Sequence, residues 1–181
     1  MTDVVGANNY SPLSLSHLTV ELGLQTVSDK TAEIINRRHS FDDFCAGFDL
    51  LRRDVPRARI SVHLIDGLPG ETTEDMLRSA KTVGEMGADE IKIHLLHVLD
   101  GTPLADAYRR GEYVPMTFED YTATVAEQLT LLPPSCVIAR LTGDGDRRTL
   151  LAPLWSRPKL AVIDAIDRLL FANGWFQGCR L

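Results

Sequence analysis

The chain has 181 residues, 44% hydrophobic and 24% charged, with a formal net charge of −6. That length suits one domain with a sizeable core or part of something larger, and the acidic balance gives no indication of a nucleic-acid surface on this piece. No apolar run approaches the roughly 20 residues of a membrane helix, residues 1–17 lack the basic and apolar regions of a signal peptide, and a cytoplasmic location is expected.

In chain order, the polar, turn-rich residues 1–17 read as a loose leader. Leu18–Thr26 is a first short apolar strand. Ser28-Asp29 then signals a helix start, and Phe41, Phe44, Phe48 and Leu51 fall at helical spacing in a second helix over 41–53. Ile60–Ile65 is a second strand, followed by Asp66-Gly-Leu-Pro-Gly-Glu-Thr72. The glycines there allow a tight strand-to-helix turn, and Thr72 or Thr73 caps the helix that follows. Glu90–Leu96 is a third strand. It runs into His97–Pro103 and a short helix through Tyr108.

From Gly111 the pattern changes. Thr117 opens an amphipathic helix that Pro133-Pro134 ends, and Val137–Leu141 is a short strand. Thr142–Arg148 is a glycine- and charge-rich loop whose simplest reading is a solvated turn. A last helix spans about 159–173. The organisation expected is a leader (1–17), an α/β half barrel (18–110) and a mixed α/β C-terminal extension (111–181).

Strand parity locates a site. Val20, Leu22 and Leu24, with Ile60, Val62, Leu64, Ile91, Ile93 and Leu95, form a wall for covering helices. The opposite face collects Glu21, Gln25, Ser61, His63, Lys92 and His94, too many polar groups for a dry core. A ligand site at the C-terminal ends of parallel strands accounts for them. His94 and His97, three apart, would point to opposite faces if the strand continued, so no joint metal site is expected from them. The three cysteines, Cys45, Cys136 and Cys179, have neither disulfide-framework nor zinc spacing.

Taken together, GLQT after the first strand, NRRH, HLIDGLPGET after the second and KIHLLHVLDGTPL after the third resemble radical S-adenosylmethionine (SAM) proteins. The similarity is to the branch related to the elongator catalytic subunit and the oxygen-independent coproporphyrinogen oxidases. LTGDGDRRTLLAPLW and the WFQG tail resemble the C-terminal extension of a bacterial subfamily of that branch.

The resemblance implies a partial (β/α)6 TIM-type barrel, of which these strands would be the fourth to sixth. It implies S-adenosylmethionine and a 4Fe–4S cluster as cofactors. By the same resemblance Gln25 would bind the ribose hydroxyls and Arg37, twelve residues later, the methionyl carboxylate. His63 would stand where the oxidases carry a ribose-binding aspartate. Ile65 and Gly67 would line the adenine, with the backbone of His94 and Leu96 on its other side, and Glu21 matches a glutamate of the branch.

The chain departs from the pattern in two places. Ala139 stands where the extension carries a histidine, and no cysteine triplet precedes the strands to hold a cluster. No catalytic or metal-ligating residue is therefore assigned. The expectation is the C-terminal half of a radical SAM protein, inactive by itself, retaining part of the S-adenosylmethionine site for a substrate the sequence leaves open. The alternative is a non-catalytic module that pairs with a separate N-terminal half or self-associates through its sheet edge.

Overall fold

The computed structural model describes residues 18–143 and 145–181; the expected leader lies outside them. Four strands form one sheet in the order β1 (Thr19–Gln25), β2 (Arg59–Asp66), β3 (Glu90–Leu95), β5 (Val137–Arg140). All three pairings are parallel, as buried strands joined by helices require. The short β4 (Val98–Leu99) and β6 (Leu150–Ala152) make a separate antiparallel ribbon. The fourth strand of the main sheet thus comes from the part of the chain read as an extension.

The helices begin where side chains can take up the orphan backbone N–H groups. Ser28 caps α1 (Asp29–Ile34), and Ser40 caps α2 (Phe41–Asp54) in a reciprocal box with Asp43. Thr72 does the same for α3 (Thr73–Glu85) with Asp75. Thr102 caps α4 (Pro103–Arg109) and Thr117 caps α5 (Phe118–Thr130). The last helix, α6 (Lys159–Asn173), starts at Pro158 with no side-chain cap and ends on left-handed Gly174.

Most of the wall read from strand parity is the core, with Leu24 buried but Val20 and Leu22 only partly so. Ile60, Val62, Leu64, Ile91, Ile93 and Leu95 are buried. They pack in one cluster with Phe44 and Phe48 of α2, Ala80 and Val83 of α3, Tyr121, Val125 and Leu129 of α5, and Val162 and Ile166 of α6. Each such apolar side chain contributes about 1.5–3 kcal/mol on leaving water. With one face of the main sheet covered in this way, the polar rows stand on the other.

Candidate functional site

Parallel register sets those rows. Gly23 pairs with His63, His63 with Lys92 and Lys92 with Arg140; one step on, Ile65 pairs with His94. The wider row therefore includes Arg140, which the sequence reading missed, because nothing local says that β5 lies beside β3.

Glu21 bonds Lys92 and stands 3.0 Å from His63 Nε2. The Lys92 hydrogen bond is the largest influence holding Glu21 below the usual carboxylate range. His63 Nε2 is nonetheless buried without hydrogen-bond geometry, as is Nε2 of His94. The two rings stack with centroids 5.3 Å apart and planes at 28°. Burial, and then the neighbouring His63 ring with the cations Arg140 and Lys92, pushes His94 down to about 4; burial and Lys92 lower His63 too. Both are therefore neutral at pH 7, each offering one N–H donor and one ring acceptor.

Gln25 sits at a register break in β1 with φ of 65°. After α1 ends, Asn36 and Arg38 also take left-handed backbone. These bends carry Arg37 back to bond Gln25 Oε1 and the carbonyl of Gly23. A Cβ on Gly23 would lie 2.5 Å from Gln25 Nε2, so a side chain there would displace the Gln25 amide.

Gln25, His63, Ile65, His94 and Leu96 line one cleft of about 310 Å³ at the C-terminal ends of the strands, joined by His97, Arg140 and Gly143. Arg37 reaches it only through Gln25 and otherwise faces a neighbouring groove with Asp29, Asn36 and His39. Glu21 lies one row deeper, beneath His63. Gly67 lies elsewhere: its carbonyl accepts the Tyr113 hydroxyl at 2.8 Å, and it fronts a depression with Glu71, Met116 and Asp120.

The expectation that His94 and His97 would diverge is corrected. β3 stops at Leu95, so strand alternation no longer governs position 97, and both imidazoles line the cleft. Gly143 lies against both rings: a Cβ there would make ordinary van der Waals contact with His97 Cε1 at 3.4 Å and His94 Nδ1 at 3.5 Å. Ser156 donates its hydroxyl proton to Pro153 O at 2.8 Å, so His97 Nε2, 3.0 Å from Ser156 Oγ, carries the proton between them.

The cleft offers amide, imidazole and guanidinium groups together with the aliphatic side chains of Ile65 and Leu96. That combination suits a nucleoside. It does not suit an iron–sulfur cluster, since no thiolate lines it. Cys136 is buried and its thiol is pushed up to about 11, and burial raises Cys45 also. No group of three potential metal ligands occurs among the described residues, and no helix among them is long and apolar enough to cross a membrane.

Comparison with known proteins gives a consistent result. The Radical SAM superfamily model matches residues 14–83 and the Radical SAM C-terminal domain model residues 88–171. Protein YtqA of Bacillus subtilis is 40% identical over 163 residues, covering 90% of this chain and 50% of that protein. Protein YhcC of Escherichia coli is 38% identical over 162 residues, covering 90% of this chain and 52% of that protein. The chain spans about half the length of these curated relatives. The solved structure of Methanocaldococcus infernus Elp3, lacking its N-terminus, superposes with a TM-score of 0.76 at 21% identity, over 88% of this chain and 37% of that one. That likeness bears on the fold.

Proposed function

This chain belongs to the radical SAM superfamily, and from that premise we propose that it carries the adenosyl-binding half of such a site while taking its cluster ligands from outside its own sequence. The observation that supports this most is the convergence of Gln25, His63, Ile65, His94 and Leu96 on one cleft. When bound together, the cluster and S-adenosylmethionine supply an organic radical. This chain's own residues bind and orient.

In this reading the Gln25 amide turns from Arg37 to the ribose hydroxyls, and the released guanidinium takes the methionyl carboxylate. The uncharged His63 and His94 rings supply a donor and an acceptor at the ribose edge, and Ile65 with Leu96 exclude water from the base. Glu21 acts one step back, fixing Lys92 and His63. Cys45, Cys136 and Cys179 hold no cluster here. Gly67 serves the Tyr113 contact, and its backbone meets the adenine only if the 67–70 turn moves.

The test is a titration of the chain with S-adenosylhomocysteine, followed by the imidazole proton resonances of its five histidines. Saturable shifts of His63 and His94 with His39 unmoved are expected. Unmoved His63 and His94 at millimolar ligand would reject the cleft as the adenosyl site.

A further inference from the structure

The unused feature with most chemistry is the glycine-rich loop between β5 and β6. We propose that Arg147 and Arg157, with the start of α6, form a phosphate-binding pocket that anchors a phosphate-bearing substrate beside the cleft. The proposal rests on the adenosyl-site reading for its role but on its own geometry for its chemistry.

The pocket measures about 460 Å³ and is lined by Gly143, Gly145, Arg147, Ser156, Arg157 and Lys159, among others. Gly143 also lines the adenosyl cleft, so the two spaces meet at one residue. Between Val137 and Leu160 the sequence holds five cations (Arg140, Arg147, Arg148, Arg157, Lys159) and two carboxylates (Asp144, Asp146), a local +3 in a chain of −6. Asp146 is taken up by Arg148 at 3.0 Å.

Most other arginines are matched to carboxylates: Arg52 to Asp89, Arg78 to Asp75, Arg109 to Asp100, Arg110 to Glu112, Arg168 to Asp164. Arg147 and Arg157 have no carboxylate partner among the described residues; the contact between them is Arg157 Nη2 to the Arg147 carbonyl at 3.5 Å. Two exposed guanidinium groups thus line one cavity, and a phosphate with its several acceptor oxygens is a ligand that satisfies two guanidinium forks at once.

The backbone agrees. A Cβ at Gly145 would lie 3.1 Å from Leu150 Cδ1 and 3.2 Å from His97 Nδ1, so glycine fits this wall without displacing either side chain. α6 opens there with neither side-chain cap nor acidic residue in its first turn, unlike α2, α3 and α5. Its positive end is left uncompensated.

The experiment titrates the whole chain with pyrophosphate and, separately, with a labelled decauridylate, in wild type, in R147A/R157A and in the charge-matched control R53A/R168A. Phosphate affinity should fall at least tenfold in R147A/R157A and at most twofold in the control, with R147K/R157K keeping most of it. For decauridylate, the slope of log affinity against log salt should shrink by about 1.4, roughly 0.7 for each cation removed. An effect on pyrophosphate identifies a small phosphate ester as the source; an effect on decauridylate alone identifies a polymer backbone. Binding of neither probe by wild type, or equal losses in both double variants, would overturn the pocket. S-adenosylhomocysteine binding should be unchanged in R147A/R157A; its absence in wild type alongside retained phosphate binding would reject the adenosyl site and leave the pocket standing.

Discussion

Asp66 ends β2 with 1% of its surface exposed, and Gln128 of α5, at 0%, donates Nε2 to its Oδ1 at 2.9 Å. Asp66 Oδ2 and Gln128 Oε1 are buried and unpartnered. Burial pushes the carboxyl up to about 7, against the pull of Gln128. The folded chain then keeps a proton that the unfolded chain releases near 3.8. This group's contribution is therefore present at low pH, is lost as pH rises from about 4 to about 7, and is level above that. Asp66→Asn removes the charge and supplies an N–H for Gln128 Oε1. It should stabilise the chain by about 1–3 kcal/mol at pH 8 and change little at pH 4, read by urea unfolding at both. Loss of stability at pH 8 would mean the carboxylate is compensated. In the proposed adenosyl site, Arg37→Ala should weaken S-adenosylhomocysteine binding by about 1.5–3 kcal/mol, measured calorimetrically, and Arg37→Lys should recover little because an ammonium makes no fork. Unchanged affinity would remove Arg37 from the site.

Two helical glycines show how packing overrides propensity. Gly47 in α2 has open space where a Cβ would go, whereas a Cβ on Gly84 in α3 would lie 2.9 Å from Pro133 Cδ and 3.3 Å from the Leu131 carbonyl. Alanine gains about 0.8–1.0 kcal/mol over glycine in a helix interior, so Gly47→Ala should raise stability by up to that amount. Gly84→Ala should lower it by up to about 2 kcal/mol, since overpacking costs about 1–3 kcal/mol and forces α3 away from the end of α5. Thermal melts of the two variants with the same sign would show that the α3–α5 seam yields.

Across the whole molecule the sheet is open, with β1 and β5 as its edges. β1 exposes Thr19 and Glu21 and has no neighbouring strand on its outer side among the described residues. The proposed division of labour has two consequences. Anaerobic iron–sulfur reconstitution of this chain should leave it colourless with far less than one cluster per chain; a brown protein with a full cluster would reassign the cysteines. Adding a separately expressed N-terminal segment of a relative such as YtqA should yield a complex through the β1 edge. The pairing reading fails if size exclusion shows both pieces running apart at micromolar concentration.

Local pattern alone was enough for the elements and the buried face. Period-two alternation in 60–65 and 90–95, the threonine and serine caps, and the stop at Pro133 each depend on neighbours within a few residues, so the strands, helix starts and core wall were legible. Glu21, Gln25, His63 and His94 were legible as one polar face for the same reason. What the sequence left open depends on contacts between distant segments. The pairing of β5 with β3 brought Arg140 to the cleft. The end of β3 at Leu95 freed His97 from alternation, and the chain after β5 set Gly143 against two imidazoles. The turn after α1 spent Arg37 on Gln25, and Tyr113 drew Gly67 away. None of these follows from spacing along the chain, because each is fixed by which partner surface wins the side chain once the helices have closed over the sheet.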